Sequence, residues 1–290
     1  SPLTEGVLEG CTRLANHKGP WLSIWERFCE APGRYPNIPA HIRKCSPPSN
    51  TLIWLSHEAE DFEGWPQWNE AQEKSLQNEL MSLASLPPHE ARAKIAVFEN
   101  NHAHRRSLVW AQLGEAPLAC ALAHLATLAE TSSGLAAGSV DDLVKSYASH
   151  GWQADAAVQA LAHVNGKADV EAVSAAIRSV YLPWMEASAR HLQKIVAEGS
   201  YPGASLAAQN TVFNPGDCLL FVDGLRFDTA QRLKTVLELC GHTIAAKPVW
   251  AALPSVTATG KPAVSPVKSH FTGHDDMADF EPSVAKTGHS

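Results

Sequence analysis

From residue 68 to residue 198 apolar side chains recur at helical spacing, whereas from residue 218 onward they gather into short continuous runs. Leu76, Leu80 and Leu83 fall on one helical face. Pro87-Pro88 ends that helix and starts the next, because proline disrupts a helix interior but suits its first turn. Stretches 89–113 and 117–128 are rich in Ala and Leu, both strong helix formers. Ser139-Val-Asp-Asp142 reads as a capping box with carboxylates in the first turn, and Val140, Leu143, Val144 and Tyr147 follow it on a single face. Val170, Val173, Ile177, Val180 and Trp184, spaced 3-4-3-4, form another core-facing stripe that Pro183 is expected to kink or split. Gly199-Ser-Tyr-Pro-Gly203 ends the helical region.

The flanking regions read differently. Residues 1–67 carry Trp21, Trp25, Trp54 and Trp65, a short apolar run at 51–55 and the turn cluster Cys45-Ser-Pro-Pro-Ser-Asn50, which together predict a mixed, irregular segment. Cys218-Leu-Leu-Phe-Val222 is a continuous apolar run, the mark of a strand buried on both faces. Asp223-Gly224 follows, then an amphipathic helix over 227–239 with Gly241 just past its end, then a second strand over 243–250. Strand, helix and strand within about 35 residues predict a parallel sheet with helices on its faces. The expected fold class is therefore α/β with a large, mainly α-helical N-terminal region, divided as 1–67, 68–205 and 206–290.

Composition narrows the function classes. The chain has 290 residues, 45% hydrophobic and 18% charged, enough to bury a substantial core. A net charge of −7 makes no whole-chain case for nucleic acid, although a local basic groove stays open. Six cysteines without a Cys-x-x-Cys pair fit reduced thiols in a cytoplasmic protein. No secretory signal and no apolar run near 18 residues stand in the sequence, so no membrane is expected. Ser1 in place of an initiating Met, and a last residue, Ser290, with no closing element before it, suggest a piece of a longer polypeptide.

In open α/β sheets ligands sit beyond the carboxyl ends of the strands. Asp223 ends the first predicted strand and Leu253-Pro-Ser-Val-Thr257 follows the second, so a carboxylate and a hydroxyl cluster converge if those strands are neighbours. A carboxylate suits a hard or borderline cation. A threonine hydroxyl beside such an ion can lose its proton and become a nucleophile, and free N–H groups after Thr257 would favour a phosphate.

Asp223-Gly-Leu-Arg-Phe-Asp228 after an apolar run, with Leu253-Pro-Ser-Val-Thr-Ala-Thr-Gly-Lys-Pro262 beyond it, resembles the alkaline phosphatase superfamily. More narrowly it resembles the PglZ family, the phosphatase-like components of BREX and Pgl phage-defence systems. His104-Arg-Arg-Ser-Leu-Val-Trp110 and Leu113-Gly-Glu-Ala-Pro117 are similar to the N-terminal region of that family. The resemblance implies that this stretch begins an alkaline-phosphatase-like parallel-sheet domain. It implies Asp223 as a metal ligand and Thr257 as the metal-bound nucleophile, with Ser255 and Thr259 as nearby rivals. It implies two divalent ions, zinc by expectation, in the full-length enzyme, completed by Asp and His ligands far downstream. His270, His274, Asp275 and Asp276 are not equated with those ligands. Expected partners are other components of a phage-defence complex and a phosphate ester, nucleic acid included.

Simpler readings stand beside these. Arg226 and Asp228 can pair with each other or cap the following helix, and Lys261 can be a plain solvated lysine. Gly260-Lys261 is no P-loop, since Ser255 stands where glycine is required and Pro262 where a magnesium-binding hydroxyl belongs. His102 and His104 point different ways on a helix, and Cys120 with His124 supplies only two of the four ligands a structural zinc takes. Two functions fit the sequence: a metal-dependent phosphoric ester hydrolase, or a non-catalytic helical assembly module that binds other components of a defence complex.

Overall fold

The computed structural model describes residues 6–47, 62–134, 138–199, 201, 214–253, 255–265, 271–272 and 283–284. Two compact units divide the chain: Ser1–Ala137 with Ser149–Ser188, and Gly138–Ala148 with Ala189–Ser290. The division between Ser188 and Ala189 falls inside a long helix, before the boundary expected between residues 205 and 206. Among the described residues no helix is long and apolar enough to cross a membrane.

The first unit is built around one helix. Helices α1 (Val7–Asn16), α2 (Trp21–Glu30), α3 (Ile38–Ile42), α4 (Pro66–Ser82), α5 (Pro88–His102), α6 (Val109–Gln112) and α7 (Pro117–Thr131) succeed one another. Helix α7 is apolar nearly all round, so it can only be central. Its Leu118, Ala121, Leu122, Leu125 and Leu128 are buried against Leu76 and Leu80 of α4 and Ile95 and Phe98 of α5. Pro66, Pro88 and Pro117 open their helices, where a missing N–H costs nothing. The stripes at Leu76/Leu80/Leu83 and Val173/Ile177/Val180 lie in the same core, with Val170 and Trp184 at its margin.

Residues 6–47 differ from the expected irregular segment: they are largely helical and share a core with α4 and α6. Ala15 and Ile42 pack with Trp65 and Trp68, while Phe28 joins Val109 and Trp110, so among the described residues 6–47 share their cores with the helices that follow. Trp65, Trp68 and Trp110 anchor this core, with Trp25 half-buried against Trp110, and their bulk substitutes for a regular periodic stripe. Gly64 allows the close approach: a Cβ there would meet the Ala15 carbonyl oxygen at 2.1 Å. Trp54 and the run 51–55 lie outside the described residues.

One carboxylate ties these helices together. Ala116, the residue before α7, has no side-chain acceptor for the free N–H groups of the helix start. Glu73 of α4 supplies it, accepting from Leu118 N–H at 2.8 Å and Ala119 N–H at 3.2 Å. The same carboxylate accepts from Arg105 Nη2 at 2.8 Å. Arg105 is fully buried, donates also to Asn69 Oδ1 (2.7 Å), and lies over the Trp68 ring, 5.9 Å from its centroid. Burial pulls the Arg105 pKa down, and Glu73 opposes that shift.

After α7 come α8 (Val140–Ser146), a π turn Tyr147–Gly151, α9 (Trp152–Ala156), a 3-10 segment Ala157–His163, and α10 (Lys167–Glu198). Ser139 and Asp142 form the expected capping box. Helix α10 runs unsplit through Pro183, which has no N–H to donate to Ser179 four residues back. Its buried residues all precede that proline, and none from 181 to 198 is buried.

The expected parallel sheet is not formed among the described residues. Stretches 218–222 and 243–250 carry no regular secondary structure and lie in no described ladder, and Leu220 is 80% exposed where a doubly buried strand was expected. The ladder that is described pairs Phe271–Thr272 with Ser283–Val284, antiparallel. The described protein is therefore mainly helical, and its two later helices are α11 (Phe227–Leu239) and α12 (Thr257–Val264).

Replacing Glu73 with Ala leaves Arg105 buried without its counter-charge and uncaps α7, so stability should fall by about 3–5 kcal/mol in denaturant titrations, with Glu73→Gln between the two. At α8, hydrogen bonds from Ser139 to Asp142 hold that carboxyl below its usual range. The cap should be intact above about pH 3.9 and lost as acid carries Asp142 through its lowered value, read from the amide shifts of residues 140–143.

Candidate functional site

The Asp-Gly turn and the threonine helix stand in the second unit, each fixed by local chemistry. Gly224, at φ 68°, takes the left-handed conformation that lets the chain turn at Asp223. Helix α11 begins three residues on. Its Phe227 packs on Tyr147 with ring centroids 5.7 Å apart, and its end is closed as expected by Gly241 at φ 88°. Arg226 Nε donates to Asp228 Oδ1 at 2.9 Å, and Asp228 is 7% exposed. Asp228 thus sits in the first turn of α11 and pairs with Arg226, the simpler of the roles open to it.

On the other side, Tyr201 holds the chain just before the threonine segment. Its hydroxyl donates to the Ala251 carbonyl at 2.6 Å and its ring meets Trp250 edge-on at 5.4 Å. Helix α12 then starts at Thr257, the position expected for a helix carrying free N–H groups. Thr259 Oγ1 donates to the Val256 carbonyl at 3.1 Å and accepts from Val256 N–H at 3.4 Å, so this rival hydroxyl serves the helix start. Thr257 and Ser255 are exposed.

Lys261 connects the two segments. It lies one turn after Thr257 on the same face of α12, and its Nζ is 3.0 Å from Asp223 Oδ2. The structure therefore brings Asp223 to the helix that Thr257 opens, and Lys261, expected as a solvated lysine, is the residue that does it. Both partners are open to water, Asp223 at 60% and Lys261 at 45% side-chain exposure, so the pair positions more than it stabilises.

Asp223 and Thr257 make a sparse donor set for a cation. It offers one carboxylate and one hydroxyl, where zinc takes three or four protein ligands. Among the described residues no group of three or more His, Cys, Asp or Glu is poised to hold a metal. His270, His274, Asp275 and Asp276 lie outside the described residues.

The helical motifs that carried the resemblance are spent inside the first unit. His104 sits 3.7 Å from Glu63, Arg105 meets Glu73, and Arg106 Nη1 donates to Glu99 at 2.9 Å. Glu115 accepts from Arg43 Nη2 at 2.7 Å through its side chain and from Asn69 through its carbonyl at 2.6 Å. His102 is buried and pairs with Arg105, whereas His104 meets Glu63. Compared with protein-family models, curated proteins and solved structures, the chain matches none of them.

Asp223→Asn and Lys261→Gln should each change stability by less than about 1 kcal/mol, and the double variant should show no larger loss. A fall of several kcal/mol in either would make the pair a structural strut and remove Asp223 from consideration as a ligand.

Proposed function

We propose that this chain carries the aspartate–threonine part of a metal-dependent phosphoric ester hydrolase of the PglZ kind, working in a bacterial phage-defence system of the BREX or Pgl type. The observation that carries the reading is the 3.0 Å Asp223–Lys261 contact, which ties the Asp-Gly turn to the helix opened by Thr257. In this reading Asp223 is a ligand to a divalent cation, zinc by expectation, and the remaining ligands come from residues other than those described. When bound, the cation would supply positive charge to the phosphate and acidity to a neighbouring hydroxyl. Thr257 Oγ1 would give up its proton to solvent and attack phosphorus, breaking the ester P–O bond so that the alcohol leaves and takes a proton from water. Water would then cleave the phosphothreonine, releasing the phosphate product and restoring the hydroxyl. The first N–H groups of α12 point at the phosphate oxygens, and Lys261 moves from Asp223 to the phosphate as the substrate enters. Stretches 218–222 and 243–250 are taken as sheet strands of an alkaline-phosphatase-like domain, and their exposed Leu219, Leu220, Phe221 and Val249 as the surface that neighbouring strands cover.

The second reading, a helical assembly module, is favoured by one observation: the charged side chains of the first unit's motifs are engaged within that unit. In that case any phosphatase chemistry is secondary and the surface helices bind other defence components.

Hydrolysis of a generic phosphodiester by the protein at its full natural length separates the readings. Wild type with zinc should be active, and Thr257→Ala should be slower by about 10³-fold or more. Equal, metal-dependent rates would exclude Thr257 as nucleophile. Phage resistance that survives Thr257→Ala unchanged would favour assembly.

A further inference from the structure

Helix packing brings together two imidazoles that stand 39 positions apart in sequence. His124 lies on α7 and His163 ends the 3-10 segment Ala157–His163, with Nε2 atoms 3.1 Å apart and ring centroids 5.1 Å apart at 28° between planes. Both backbones are held by core. Leu122 and Leu125 beside His124 are fully buried, as is Ala160, while Val164, next after His163, is nearly so. The 3-10 segment is itself unusual, seven residues where three or four is the common limit, so its path is set by its packing rather than by its own hydrogen bonds. The rings reach the surface all the same: His124 is half-buried and His163 exposed.

Two nitrogens at about 2.0–2.1 Å from one tetrahedral ion stand roughly 3.3 Å apart, close to the observed separation. Without an ion, one ring donates its N–H to the other. With one, the donor ring passes to its other tautomer and both lone pairs face the ion. We propose that His124 and His163 form a two-imidazole site for a borderline divalent transition ion (Zn²⁺, Ni²⁺ or Cu²⁺), with water completing the coordination. Imidazole suits these ions, whereas Mg²⁺ prefers oxygen. Burial and the nearby Glu73 carboxylate raise the pKa of Cys120, one turn before His124. An ion held here clips α7 to the 157–163 segment and so binds only the folded chain.

Thermal melts of the full chain test this. Zn²⁺ or Ni²⁺ at saturating concentration should raise Tm by about 2–4 °C, and Mg²⁺ should not. His124→Gln and His163→Gln should each abolish the rise, while His89→Gln, an exposed histidine elsewhere, should leave it intact. If His124→Gln melts too poorly to compare, the exposed His163→Gln carries the same comparison. The Cu²⁺ electron paramagnetic resonance spectrum should show splitting from two nitrogens, which the oxygen donors Asp223 and Thr257 cannot produce. No Tm rise with any ion, a rise that persists in His163→Gln, or a copper spectrum without nitrogen splitting would each overturn the proposal.

Discussion

The carboxylate of Glu73 is the constraint on which the helical unit depends. Helix α7 is central because its sequence is apolar on nearly every face, and the same composition leaves it without a polar residue to close its own start. Its free N–H groups must find an acceptor elsewhere, and Glu73 of α4 provides one. That fixes the crossing of α4 and α7, and it places a negative charge at the positive end of a helix dipole. Arg105 can then be buried, since its counter-charge is already held in place. Around it Asn69, Glu115 and Arg43 extend the network from the core outward to α3.

Local signals in the sequence are legible where the structure answers to local physics. The stripe of α4, the capping box at Ser139, the stripe of α10, the bounds of α11 and the start of α12 at Thr257 each depend on residues within a few turns of one another. Residues 6–47 mislead because prolines and short helices leave little periodicity, and the buried tryptophans they pack against, Trp65, Trp68 and Trp110, stand further along the chain. Partnerships between distant positions are invisible: nothing in the spacing of Glu73 and Arg105, or of His124 and His163, says that they meet. The apolar run at 218–222 shows a related limit. Such a run states that side chains favour burial, but a strand also needs a neighbour for its ladder, and among the described residues it has none.

The two units use polar chemistry in contrary ways. In the first, charged side chains from the motifs turn inward and are spent on hydrogen bonds that set helix positions. In the second, Asp223, Thr257 and Lys261 stand at a turn and a helix start, open to water and joined by a single ion pair. Exposed charges held loosely can exchange one partner for another, as a ligand site requires, whereas the Arg105 network cannot be opened without unfolding its surroundings. That contrast is one reason the proposed chemistry is set at Asp223, Thr257 and Lys261 rather than in the first unit.

Pro183 divides α10 without bending the chain out of helix. Ahead of it, five buried side chains hold the helix in the core; beyond it, none is buried as far as Glu198. The rung missing at Ser179 lies between these two stretches, so unwinding that begins at the C-terminal end meets a ready-made stopping point. The stretch beyond Pro183, without a buried side chain, is expected to open more readily than the buried one ahead of it, so hydrogen exchange along α10 should change at the proline.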